Sequence, residues 1–295
     1  GKTVMLFEKN SRVGRKLLIT GKGRCNVTNN CTKEDFFENI PCNGRFLYSS
    51  YAAFESGDTM TFFENLGVPL KTERGNRVFP VSDRAEDIVI AFERAVKERS
   101  DRITVKNEKV SKVLTEDGRV SGVIAEGIAY HAPSVLIATG GRSYPKTGSD
   151  GDGYRFAKEL GHRVIPLRPS LVPMVSEEEW CREAMGLSLK NVTLTLIDTA
   201  DGKKLFSEMG EMLFTHFGVS GPLVLSASGH IRKMERGRYK LVIDLKPALD
   251  EKTLDARLQR DFAENANRDF INSLGKLLPA KLIPVIARLS GIPED

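Results

Sequence analysis

Four cysteines in 295 residues, none spaced as CxxC, are too few and too scattered for a disulfide or zinc framework. Cys25, Cys31, Cys42 and Cys181 sit in unrelated surroundings and read as reduced thiols. No apolar run approaches the ~20 residues that cross a bilayer, and no secretory leader pattern is present. The expectation is a cytoplasmic protein with no membrane contact. No cluster of His, Cys and Asp has ligand spacing, so no metal is expected. No GxGxxG, internal repeat or low-complexity tract occurs. Excess charge is small, +5 from 44 basic and 39 acidic residues. It attracts a polyanion, but a cofactor with two phosphates is one as much as a nucleic acid is. No basic stretch interleaved with aromatics is available to stack bases, so nucleic acid is not the expected partner.

What remains is the composition of a globular protein, 40% hydrophobic and 28% charged. Its length suits one large domain or two ordinary ones. The opening run Thr3-Val4-Met5-Leu6-Phe7 closes on Glu8 and reads as a buried parallel strand ending in an acid. A chain that begins with Gly1 at the edge of a strand reads as cut from a longer one. Helices are expected over Arg45 to Phe54, and from an Asp58 cap to Gly67. A hairpin is expected at Arg74-Gly75-Asn76. Asp83 and Glu86 have capping-box spacing ahead of an amphipathic helix carrying Ile88, Phe92 and Val96. Asp117-Gly118 joins two alternating strands. Val135 to Ala138 reads as a fully apolar strand ended by Thr139-Gly140-Gly141, followed by a helix from Gly153 to Leu160.

Near Pro166 the character changes. Strands are expected at Val192 to Ile197, Lys203 to Ser207 and Tyr239 to Leu245, with a helical stretch over Gly218 to Ile231. Leu254 to Ala287 reads as helix broken at Pro279 and Pro284. The division expected is 1–165 and 166–295.

The chemistry concentrates at the front. In a dinucleotide-binding unit the second strand ends in an acid that accepts from the ribose hydroxyls. Glu8 has that position, with the glycine turn falling upstream of Gly1. Residues 14–29, GRKLLITGKGRCNVTN, pack four cations and three glycines into one loop. Glycines let backbone N–H groups approach a ligand, and cations offset phosphate charge.

Glu8-Lys9-Asn10 followed by that loop resembles the BaiN/YhiN-like family of NAD(P)/FAD-dependent flavoproteins. The likeness continues through GNRVFP (75–80), ATGGRSY (138–144), Thr147-Gly148-Ser149, Gly151 to Tyr154, Leu171-Val172-Pro173 and GEMLFTHFGVSGP (210–222). It implies an α/β, Rossmann-like FAD-binding domain of the GR2 type, with an inserted α+β domain. It lacks the amino-terminal glycine turn and the carboxyl-terminal segment that closes over the flavin in the family. By resemblance Glu8 holds the ribose and Lys9 lies near the adenosine. Arg15 and Lys16 run along the cofactor, and Arg24, Cys25 and Asn26 reach towards the flavin ring. Val110 contacts adenine through its backbone, and Thr139-Gly140-Gly141 is the return turn.

The implied activity is hydride transfer from NAD(P)H through FAD to an electron-poor small molecule such as a conjugated ketone, or amine oxidation. Polarising a carbonyl needs a donor; the candidates are Arg24, Tyr144 and His216. Each has a plainer reading: phosphate neutralisation for Arg24, a hydrogen-bonded core position for His216. Cys25 beside Arg24 reads either as a lowered-pKa thiol or as a packed one, and Trp180 reads as a packing anchor. Two other functions stay open, a flavoprotein acting on RNA and an interaction protein that keeps its flavin only for structure.

Overall fold

A computed structural model describes residues 1–266 and 268–292. The chain divides into two compact units, one of Gly1–Pro166 and one from Leu167 onward.

The first unit opens with β1 (Val4–Phe7) and α1 (Arg15–Ile19), then β2 (Thr28–Asn29), α2 (Lys33–Glu38), α3 (Tyr48–Ala53) and α4 (Ser56–Asn65). The hairpin β3 (Leu70–Glu73) and β4 (Arg77–Pro80) leads to α5 (Ala85–Lys97) and β5 (Ile103–Lys106). A meander of β6 (Val110–Glu116), β7 (Arg119–Ala125) and β8 (Ile128–His131) precedes α6 (Asp152–Glu159). β1 pairs in parallel with β5, Val4 opposite Ile103 and Phe7 opposite Lys106. Parallel neighbours need a crossover, and α5 lies within it. The apolar stripe of α5 supplies Ala85, Ile88 and Ala91 to a core that also holds Cys25, Phe63 and Val68. Between β6 and β7, Asp117 and Gly118 both take positive φ, 50° and 74°, as a two-residue I′ turn requires.

Four expectations for this unit need correction. Val135 to Ala138 is not a strand: it pairs with no described residue, and Leu136 is 91% exposed. An apolar run becomes a central strand only when a neighbour accepts its ladder, and the parallel sheet here is β1 and β5 alone among the described residues. Asp58 does not cap α4; Glu55 does, with Asp58 at the third helical position returning a bond to the Glu55 N–H at 2.9 Å. Asp83 does not cap α5, because its carboxylate is drawn to Arg24 and Lys71 instead. The helix expected over Arg45 to Phe54 opens with a 3-10 turn, Gly44–Leu47, so only Tyr48–Ala53 is α-helical.

The second unit carries β9 (Met174–Val175), α7 (Trp180–Glu183), β10 (Ser188–Asp198), β11 (Lys203–Thr215), β12 (Gly218–Ser220) and α8 (Pro222–Ser228). β13 (Tyr239–Asp244), α9 (Glu251–Glu264), α10 (Phe270–Ser273) and α11 (Ile283–Ser290) complete it. Its antiparallel sheet has the order β13-β10-β11-β12-β9. Alternation along β10 buries Val192, Leu194 and Leu196 against Phe206, Met212, Phe214 and α8, each large side chain worth roughly 1.5–3 kcal/mol of burial. Trp180 packs on Phe214 at 5.6 Å, an anchor as expected. The stretch from Gly218 is a strand before it is a helix. Pro284 sits in the first turn of α11, where a missing N–H costs nothing, so it starts that helix and does not break it. No described helix is long and apolar enough to cross a membrane.

Candidate functional site

β1 delivers Glu8 to the end of the parallel pair, where the Glu8 N–H donates to the Lys106 carbonyl at 2.9 Å. One carboxylate oxygen, Oε1, accepts from both the Asn10 backbone N–H (2.8 Å) and Asn10 Nδ2 (2.6 Å). Oε2 takes no donor from any described residue. Asn10 is fixed in turn by Arg15, whose Nη1 donates to Asn10 Oδ1 at 2.9 Å, and by Asn107, whose Nδ2 donates to the Asn10 carbonyl at 2.9 Å. The half-buried acid is therefore oriented, with one lone-pair face left for a ligand's hydroxyls.

The turn 139–152 comes back to this edge. Gly148 takes φ +102°, a conformation that L side chains rarely adopt, and a Cβ there would stand 2.5 Å from Asn10 Nδ2, so glycine suits the turn that closes on Asn10. A Cβ at Gly153 would meet Thr139 Oγ1 at 2.7 Å, which holds the bare first turn of α6 against the Thr139-Gly140 bend. Lys16 closes the same edge from α1: its Nζ donates to the Ser143 carbonyl (2.6 Å) and to Ser143 Oγ (2.9 Å). Asn10, with the Glu8 and Arg15 side chains bonded to it, and Lys16 are thus gathered with the part of the turn from Ser143 to Gly148, across sequence separations of 127 to 137 positions. Thr139 and Gly140 are exposed, so the site is an open edge. Two hollows on the unit's surface, one along Asn43 to Phe46 and one between Val68, Val81, Ile90 and Arg94, contain none of these residues.

Other expected site residues are engaged elsewhere. Lys9 is not left with free charge: it pairs with Asp150 (2.6 Å) and Asp152 (3.0 Å), and Asp152 also pairs with Arg155 (3.1 Å). Partial burial pulls the lysine's pKa down, yet the hydrogen bonds to Asp150 and Asp152 outweigh it and leave the pKa raised. The same clasp lowers Asp152, against the opposing effect of its own burial.

Arg24 does not face a ligand with free charge either. Nη2 contacts Glu73 and Asp83 at 2.5 Å each, Nε contacts Asp83 at 2.8 Å, and the guanidinium stacks 4.0 Å from the Phe79 ring centroid. The hydrogen bond from Arg24 lowers the Glu73 pKa, and those from Lys71 and then Arg24 lower that of Asp83. Cys25 is 3% exposed inside the core, and burial pushes its thiol up, only partly offset by Thr20. The packed reading holds and the lowered-pKa reading falls. Any ligand contact from position 25 would come from its backbone. The Asn26 amide, turned to satisfy its neighbours, donates to the carbonyls of Thr28 (3.0 Å) and Val78 (3.1 Å).

Val110 begins β6, half-buried, and its neighbour's carbonyl, Ser111 O, accepts from Arg155 of α6 at 2.8 Å. Tyr144 stands on the return turn, 68% exposed, with Lys16 Nζ 5.1 Å from its ring centroid. His216 is not a core residue. It lies exposed with Phe217 in the two-residue tip between β11 and β12, within the second unit. Asn10, Ser143, Asp150 and Asp152 went unassigned in the sequence. The signal for them was short hydrogen-bonding residues set among glycines, in Glu8-Lys9-Asn10 and in Gly148 to Gly153.

A parallel pair ending in an oriented acid, met by a glycine turn at a helix start, defines the first unit as a Rossmann-type α/β domain, accompanied by an antiparallel unit with trailing helices. The chain belongs to the HI0933-like protein family: the profile for its Rossmann domain matches residues 1–227, and that for its barrel and H2TH domain matches residues 168–295. This is the BaiN/YhiN-like flavoprotein family to which the motifs point. The chain is 28% identical over 295 residues to a 3-dehydro-bile acid delta(4,6)-reductase of Clostridium scindens, covering 99% of this chain and 70% of that protein. It is 28% identical over 294 residues to a ribosomal RNA dihydrouridine synthase of Escherichia coli, and 29% over 301 residues to that of Haemophilus influenzae. Each of these two alignments covers the whole of this chain and 70% of the relative.

Proposed function

We propose that the protein is an FAD-dependent oxidoreductase that passes hydride from NAD(P)H to a small molecule bearing a carbon–carbon double bond conjugated to a carbonyl. The observation that carries it is the Glu8 carboxylate, fixed by Asn10 through one oxygen and open at the other, with Asn10 itself against the Thr147-Gly148 turn. A ribose offers two adjacent hydroxyl donors to such an acid. Arg15, which no described acid neutralises, suits the pyrophosphate on the same edge. FAD, when bound there, supplies hydride chemistry, while the chain binds and orients. The other expected contacts, from Val110, Thr139, Gly140 and Gly141, would be through backbone.

The names of the relatives favour this reaction type. A delta(4,6)-reductase removes double bonds in conjugation with a ring ketone. Dihydrouridine is uridine with its conjugated double bond saturated. Both are additions of hydride and proton to an electron-poor alkene. The test is optical: the purified protein should be yellow, bleach on NADH or NADPH, and recover colour with a conjugated ketone. A colourless protein with no flavin by mass spectrometry overturns the reading.

An RNA acceptor is the second reading. It is supported by the two dihydrouridine synthases among the relatives and by the net positive charge, all of which lies in residues 1–166. It requires RNA affinity that falls steeply with salt.

A further inference from the structure

We infer that Lys16 and Tyr144 together seat a planar conjugated carbonyl ring, an inference that rests on the flavin-oxidoreductase reading above. Tyr144 is a bulky residue with a positive φ, 53°, at the start of the 3-10 turn Pro145–Thr147. Such a conformation is unfavourable for a bulky residue and persists where the surrounding structure holds it. Thr147 holds the Tyr144 carbonyl, donating to it from its N–H at 2.9 Å and its Oγ1 at 2.7 Å. The strain does not place the ring in a core, since the ring stays exposed.

Lys16 is held over that ring. Its ammonium has three N–H donors; Ser143 takes two, and no described residue accepts the third. No acid pairs with it, whereas Lys9, Arg12 and Arg24 of the same segment all have carboxylate partners. The outcome is an exposed aromatic face beside a pre-oriented, un-neutralised N–H donor, on the turn that follows Gly141.

An aromatic face takes a flat ring by stacking, and the spare N–H donates to a ring carbonyl in a charge-assisted bond. A cyclic enone, a uracil and the pyrimidine portion of a flavin all carry that combination. A saturated ring or a plain phosphate satisfies only half of it. The pair therefore selects by flatness and by a carbonyl in the ring plane.

The holoprotein and its Lys16→Met, Lys16→Gln, Tyr144→Leu and Tyr144→Phe variants provide the test, with Lys112→Met on β6 as a charge control. Three quantities are measured: the bound-flavin absorption bands and flavin retention, anaerobic reoxidation of reduced flavin by uridine or cyclohex-2-enone, and melting temperature. If the seated ring is the substrate's, reoxidation slows at least tenfold in the Lys16 variants and Tyr144→Leu, the flavin bands stay in place, and Tyr144→Phe resembles wild type. If it is the flavin's own, the bands shift and retention weakens about tenfold. Either result supports the seat. Folded variants within twofold of wild type in all three quantities overturn it and leave Lys16 as a loop staple. If the wild-type protein holds no flavin, the functional reading fails separately. Saturation-transfer NMR of uridine, cyclohex-2-enone and lumiflavin, wild type against Lys16→Gln, then decides the seat: equal transfer overturns it.

Discussion

The two ends of the basic loop after β1 have similar compositions and opposite surroundings. At residues 8–16 the acid Glu8 is organised by Asn10, and Arg15 and Lys16 bind neutral oxygens, leaving their charge uncompensated. At residues 22–26 the cation Arg24 is held between two carboxylates on an aromatic face, and Cys25 is in the core. A guanidinium already bonded to two acids gains little from a phosphate. Positive residues in one stretch are therefore not one binding surface. The first end keeps Arg15 and Lys16 clear of acids, and the second fastens the loop to the β3–β4 hairpin.

Replacing Glu8 by Ala should do most to sharpen that contrast. The loss of charge-assisted acceptors, ~1.5–3 kcal/mol, predicts a dissociation constant for FAD raised roughly tenfold to a hundredfold, read from released flavin fluorescence. An unchanged constant would remove the first end from the binding surface. Arg24→Met should act the other way, lowering the melting temperature while flavin affinity stays within about threefold. Should a folded Arg24→Met protein lose its flavin, the contrast between the two ends is broken.

The smallest effect concerns acid. Glu73, Asp83 and Asp152 have folded pKa values below the ordinary carboxylate range. A depressed pKa contributes stability that is present above the unfolded value and lost as pH falls through the folded one. Melting temperature should thus hold through neutral pH and decline once pH drops below the ordinary Asp and Glu values of 3.8 and 4.5. The decline should be shallower in Asp152→Asn.

Much of this architecture was legible because local signals agreed with tertiary ones. Asp117-Gly118 dictates its hairpin, the stripe on α5 faces a core, and alternation in β10 matches its burial. The closeness of Asn10 and Lys16 to the turn that follows Gly141 agrees with the motifs quoted for both segments. What stayed hidden was competition for side chains. Nothing local says that Asp83 will leave a capping role for Arg24, or that Lys9 will be claimed by Asp150 and Asp152, because those partners lie 59 and 141 positions away. Val135 to Ala138 failed for a related reason: an apolar run specifies burial, and a strand also needs a neighbour. The exposure of His216 was masked by the apolar residues flanking a two-residue hairpin tip.

The clasp between Lys9 and the Asp150–Asp152 pair has a consequence for the order of events during synthesis. The opening strand emerges from the ribosome long before the acids that lock it beside α6. Until those acids arrive, the lysine is a loose cation, although Asn10 can already direct the carboxylate next to it. Closing so long a loop comes late in folding, so this clasp is a late contact of the first unit, made after its local turns and helices.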